Sequence, residues 1–143
     1  MITNVRDVGV PAAKVWDVLA DGWLYPVWVV GASRMRQVDA GWPEKGARLH
    51  HSVGVWPVLI DDYTEVTETV PGTLLALRAR AWPFGEAAVR LVVEEAGDGS
   101  RVRIEEQIVR GPGSLIPRPL RGVLLKWRNV ETLRRLALVA EGR

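Results

Sequence analysis

The chain has no cysteine among its 143 residues. That removes thiolate zinc sites, thiol nucleophiles and disulfide staples, and it is compatible with a reducing compartment. Histidine is almost as scarce, with two residues, His50 and His51, adjacent in sequence. Neighbours on a strand point to opposite faces, so the pair makes a poor chelate and no metal is expected. No apolar run approaches the roughly 18 residues of a membrane span, and the opening MITNVRDVGV lacks a basic segment followed by an apolar one. The expectation is a soluble, cytoplasmic protein. A nucleophile elbow, a phosphate-cradling glycine loop and a dinucleotide fingerprint are all missing, which leaves covalent catalysis, nucleotide chemistry and bound cofactors without support.

What is present begins with length: 143 residues, read as one domain spanning 1–143, are enough to bury a core without metal or disulfide. The net charge of +2 conceals an asymmetry. Residues 110–143 carry eight Lys or Arg against two Glu, a net of +6, which leaves 11 minus 15, or −4, for residues 1–109. A basic helix face of this kind suits nucleic acid or an anionic membrane, and a solvated outer face is the favoured reading. With no basic-aromatic motif or recognition-helix pair visible, nucleic acid is not an expected partner.

One long helix is predicted near the C-terminus, from about Ser114 to Glu141. Leu120, Val123, Leu124, Trp127, Val130, Leu133 and Ala137 recur at helical spacing, while Arg121, Arg128, Thr132 and Arg135 share the opposite side. Counted from Pro119, a residue suited to a first turn, the helix would run roughly 20 residues or about 30 Å. The apolar stripe is taken as the face that meets the rest of the protein.

Most of the remaining chain reads as strands. Ile2, Val8 and Val10 open it, Pro11 ends that strand, and two short helices follow, the second with Asp21 as its N-cap. Thereafter period-two alternation dominates, over 34–40, 48–55, 58–70, 75–80, 87–94 and 102–108, with turn chemistry at Gly41–Gly46, Trp56-Pro57, Pro71-Gly72, Pro83–Gly85 and Gly97-Asp98-Gly99. The order is therefore strand, two short helices, about six antiparallel strands, and one long helix.

That order, together with Val8-Gly-Val-Pro-Ala-Ala-Lys-Val-Trp16, Asp21 followed by Tyr25-Pro26 and Trp28, Thr64-Glu-Val-Thr-Glu68 before Pro71, and Gly111-Pro-Gly before the last helix, resembles the START-like (SRPBCC, Bet v 1-like) superfamily. Within it the chain looks most like bacterial stand-alone members of the polyketide cyclase/dehydrase and lipid-transport group. The resemblance implies an α+β helix-grip fold: a curved antiparallel sheet of about six to seven strands around a long C-terminal helix. Binders, carriers and enzymes share such folds, so function has to come from the site.

One helix rarely fills the concavity of a curved sheet, and the space between them is the expected ligand site. Its walls would be Leu49, Val53, Ile60, Val66, Leu75, Leu77, Val89, Leu91 and Ile104 from the strands, with Leu120, Leu124 and Trp127 from the helix. A fully packed interior is the alternative. Three polar residues fall on the same strand faces: His51, Asp62 and Glu106. With the corner near Trp56-Pro57, His51 and Asp62 become cross-strand neighbours, an arrangement that raises an imidazole's pKa and fixes its tautomer for acid–base work. A one-residue slip would turn His51 outward, and a satisfied structural histidine is the other reading. Trp16, Trp28 and Trp127 are expected in the core, whereas Trp23, Trp42, Trp56 and Trp82 sit where they would rim a pocket mouth.

The leading functional expectation is a binding or carrier module for a small hydrophobic molecule such as a lipid, polyketide or aromatic metabolite. The alternatives are a cyclase or dehydratase using His51 and Asp62, and an interaction module working through the basic side of the last helix.

Overall fold

A computed structural model describes residues 1–30, 32–55, 58–81, 85–111, 115 and 117–142, with side chains at 32–34, 53–55, 58–60, 81, 110 and 118 left aside. Seven strands form one curved antiparallel sheet: β1 (Ile2–Val8), β2 (Ala32–Val38), β3 (Arg48–Val55), β4 (Val58–Val70), β5 (Leu74–Ala81), β6 (Gly85–Ala96) and β7 (Gly99–Arg110). Their spatial order is β1-β7-β6-β5-β4-β3-β2. β2 to β7 thus form a meander of neighbouring hairpins, and β1 closes the far edge by pairing with β7. Between β1 and β2 lie α1 (Ala12–Ala20), a 3₁₀ turn at Gly22–Leu24 and α2 (Tyr25–Trp28), and the chain ends with α3 (Arg118–Glu141). This is the helix-grip architecture expected from the sequence.

Local chemistry accounts for the punctuation. The Asp21 carboxylate accepts from the Trp23 backbone N–H at 3.2 Å and so starts the 3₁₀ turn. At the start of α1, Pro11 offers no capping side chain, and the Glu95 carboxylate from β6 accepts from the Ala12 N–H instead, at 2.9 Å. Gly72 and Gly97, at φ 83° and 60°, supply the left-handed backbone that the β4–β5 and β6–β7 turns need.

The core lies between the concave sheet face and the helices. Val15, Val18 and Leu19 of α1 meet Leu49, Val66, Leu75, Leu91, Val93 and Val102 from the sheet, all almost fully buried. Leu133, Leu136, Ala137 and Ala140 bring the second half of α3 into the same cluster.

The first half of α3 departs from the sequence reading. Leu120, Leu124 and Trp127, expected to line the interior, are 53, 50 and 69 % exposed, and Val123 and Val130 are exposed beside them. The inward residues are Leu125, Asn129, Thr132, Leu133, Leu136, Ala137 and Ala140. The helix is thus turned so that part of the side assigned to solvent, Arg128 and Thr132, points inward. The physical reason sits across from it. Glu106 of β7 is 1 % exposed and forms an ion pair with Arg128. An unpaired carboxylate would be costly in that position, which favours the helix rotation that delivers a guanidinium over the one that buries Trp127. Trp28 is buried as expected, and Trp16 packs at the edge of the core.

Candidate functional site

Among the described residues, two hollows open between the sheet and α3, and both are lined by Glu106. The outer one, of about 570 Å³, lies at the β1–β7 end of the grip against the early turns of α3, among Met1, Ile2, Glu106, Gln107, Ile108, Val109, Arg121, Gly122 and Leu125. The inner one, of about 30 Å³, is bounded by Trp28 at the end of α2 and Val29 after it, by Leu77, Val89, Leu91, Ile104 and Glu106 from the sheet, and by Arg128, Asn129 and Thr132 of α3. Among the described residues the apolar interior at this end is therefore largely packed, and the larger space shares Glu106 with it.

Polar chemistry concentrates at the junction of the two. The Glu106–Arg128 pair has one buried member and one side chain 37 % exposed. Thr132 Oγ1 accepts from the Val30 N–H at 3.4 Å and ties the chain after α2 to α3. Among the described residues, three that line the inner hollow carry a buried atom with no hydrogen-bond partner: Trp28 Nε1, Glu106 Oε1 and Asn129 Nδ2. Leaving such a group unmet costs about 1–3 kcal/mol.

A second polar cluster lies deeper, under α2. The His51 imidazole Nε2 and the Thr64 hydroxyl are 2.8 Å apart, and the Tyr25 hydroxyl is 3.4 Å from the same Thr64 oxygen. Tyr25 also stacks on His51 with ring centroids 5.7 Å apart, while Nδ1 of His51 is buried without a partner. Burial pushes the His51 pKa below 6.5, opposed by the charge of Asp62. Burial likewise raises the Tyr25 phenol, with the Thr64 hydrogen bond acting against it. Both side chains are therefore neutral near pH 7.

The cross-strand register expected from the hairpin is present: His51 stands opposite Asp62, and Leu49 opposite Thr64. The hydrogen bonding differs. His51 engages Thr64, whereas the Asp62 carboxylate accepts from the Tyr63 N–H at 2.8 Å and stands 3.5 Å from Arg80 Nε. His51 thus hydrogen-bonds Thr64 while it feels the charge of Asp62 opposite it, and neither residue lines either of these hollows.

The family described as "Polyketide cyclase / dehydrase and lipid transport" matches residues 1–141. The chain belongs to that family. No curated protein sequence matches it. Among solved structures, Ara h 8.0201 superposes with a TM-score of 0.74 at 12 % identity, covering 99 % of this chain and 97 % of that one. The ZhuI aromatase/cyclase from Streptomyces sp. R1128 gives 0.74 at 16 % identity over 98 and 92 %. The di-domain aromatase/cyclase StfQ of the steffimycin biosynthetic pathway gives 0.74 at 10 % identity, covering 99 % of this chain and half of StfQ. At these identities the likeness is one of fold.

Measured against the expected ligand wall, this family member places Leu77, Val89, Leu91, Ile104 and Glu106 around the inner hollow. Leu49, Val66 and Leu75 are buried in the core away from it. Val53 and Ile60 pair across β3 and β4, and their side chains lie outside the described set. Leu120, Leu124 and Trp127 face outward and line neither hollow. Trp23 and Trp42 border a separate open hollow of about 420 Å³ with Asp17, Asp21 and Asp39. Trp56 and Trp82 lie outside the described residues.

Asn129, Thr132, Arg128 and Leu125 were missed because an apolar stripe was assumed to mark the inner face. A buried glutamate on β7 was the available signal, since it calls for a facing cation and hydrogen-bond donors. Among the described residues no group of His, Asp or Glu is disposed to hold a metal ion, and no described helix is long and apolar enough to cross a membrane.

Proposed function

We propose that the protein binds a small hydrophobic molecule, a lipid, polyketide or aromatic metabolite, whose body occupies the outer hollow and whose tip enters the grip beside Glu106. The observation that carries this reading is the pair of adjoining hollows sharing Glu106. About 570 Å³ falls within the roughly 300–1,000 Å³ of small-molecule sites, and the inner wall is apolar with a few converging polar groups. Membership of a family of cyclases and lipid carriers supports the same class of ligand. The test is native mass spectrometry of the folded protein after equilibration with palmitate, a phosphatidylglycerol and 2-naphthol. Retained adducts lost on collisional activation are expected for at least one, and a bare protein mass with all three would sink the reading.

One observation favours a second reading, a cyclase or dehydratase. Glu106 presents an unpartnered carboxylate oxygen where a bound ligand would lie, next to a guanidinium able to stabilise a developing oxyanion. In this version Glu106 replaces His51 and Asp62 as the acid–base group. Turnover of a polyketide-type substrate that survives Glu106→Gln unchanged would remove it.

A further inference from the structure

The unpartnered atoms around the inner hollow differ in kind. Trp28 Nε1 and Asn129 Nδ2 carry hydrogens and only donate, whereas Glu106 Oε1 belongs to a carboxylate held in an ion pair and only accepts. Their residues are 2, 1 and 1 % exposed, so bulk water does not serve them. We propose that the inner hollow takes the hydroxyl of an alcohol or phenol, which accepts from Trp28 and Asn129 and donates to Glu106. This rests on the hydrophobic-ligand reading above and narrows it to a class of ligand.

Elimination carries the argument. A carbonyl or ether oxygen accepts from both donors and leaves Glu106 unmet. A protonated amine satisfies Glu106 and confronts two donors. A carboxylate tip meets the two donors and sets a like charge against Oε1. A hydroxyl meets all three, having one hydrogen to give and two lone pairs to receive.

Size agrees with this. A cavity needs roughly 10–15 Å³ to hold one water, so a space of about 30 Å³ has room for a hydroxyl and its carbon and none for a ring. The body of the ligand is thereby left to the outer hollow, which shares Glu106 with the inner one. Leu77, Val89, Leu91 and Ile104 close the sheet side of the wall, while on α3 Thr132 already accepts from Val30 N–H and Arg128 is already paired with Glu106, which disfavours a second polar atom at the tip.

The test is calorimetric titration of wild type, Asn129→Leu and Trp28→Phe with three probes: 2-naphthol, 2-methoxynaphthalene and naphthalene. Each variant is first confirmed folded by near-UV circular dichroism. Wild type should prefer 2-naphthol over both other probes by tenfold or more. Each variant should narrow that preference to about threefold while naphthalene binding is not weakened. The methyl ether isolates the donation to Glu106, because it accepts and cannot donate. Equal binding of all three probes means that the hollow keeps a water, and it overturns the hydroxyl assignment while leaving the hydrophobic-ligand reading in place. A preference unchanged in both variants overturns the assignment too. If no probe binds, the reading and the inference fall together.

Discussion

Replacing Leu136 by Ala and, separately, Trp127 by Ala tests which side of α3 the protein buries. Leu136 is 0 % exposed within the core cluster. Truncating a leucine so enclosed costs about 2–5 kcal/mol, the removed methyl groups and the resulting cavity both contributing. Trp127 is 69 % exposed, which leaves 100 − 69, or 31 %, of its surface covered. A fully buried aromatic covers about 150–250 Å², so a third of that at about 25 cal/mol per Å² amounts to about 1–2 kcal/mol. Alanine's better helix propensity offsets about half a kcal/mol, leaving a net cost near 1 kcal/mol. Urea unfolding with constant slope reads both numbers directly. The larger side chain should give the smaller loss. If Trp127→Ala lost more than Leu136→Ala, the helix would be turned as its apolar stripe suggests, and the inward Arg128, Asn129 and Thr132 would have to be abandoned.

Other outcomes follow from the polar interior. Removing the guanidinium from a buried pair costs about 3–5 kcal/mol, and the 37 % exposure of Arg128 reduces the expectation for Arg128→Met to about 1–3 kcal/mol. The double variant Glu106→Leu/Arg128→Met should recover part of that loss, and strictly additive losses would show that the two side chains are not coupled. The folded His51 imidazole binds a proton less readily than the unfolded one. Stability should therefore fall as pH drops below 6.5 and level off once the lower folded-state value is passed. His51→Gln should flatten that part of the stability–pH curve relative to wild type, and an unchanged slope would contradict a neutral buried imidazole.

The strands were legible in the sequence because each alternates apolar and polar residues and ends in turn chemistry that admits few backbones. Even the pairing of His51 with Asp62 followed from the corner at 56–57. What periodicity could not supply was the partner of each polar side chain, since Thr64 and Asp62 share one strand face opposite His51 and the choice between them depends on side-chain geometry. The helix shows the deeper limit. Leu120, Val123, Leu124, Trp127 and Val130 form the more apolar stripe in the first half of α3, yet they face outward. A hydrophobic pattern reports which face is apolar, and it carries no information about a buried carboxylate on a strand elsewhere in the fold. The buried Glu106 and its pairing with Arg128 favour the phase that the first half of α3 adopts.

Methyl-resolved NMR of the isotope-labelled protein, titrated with 2-naphthol and with palmitate, tests the central claim most directly. The account predicts that a bound ligand perturbs the methyls of Leu77, Val89, Leu91, Ile104 and Leu125 while those of Leu120 and Leu124 stay where they are. Perturbations confined to Leu120, Leu124 and Val130, or none with either ligand, would contradict a binding site between the sheet and α3.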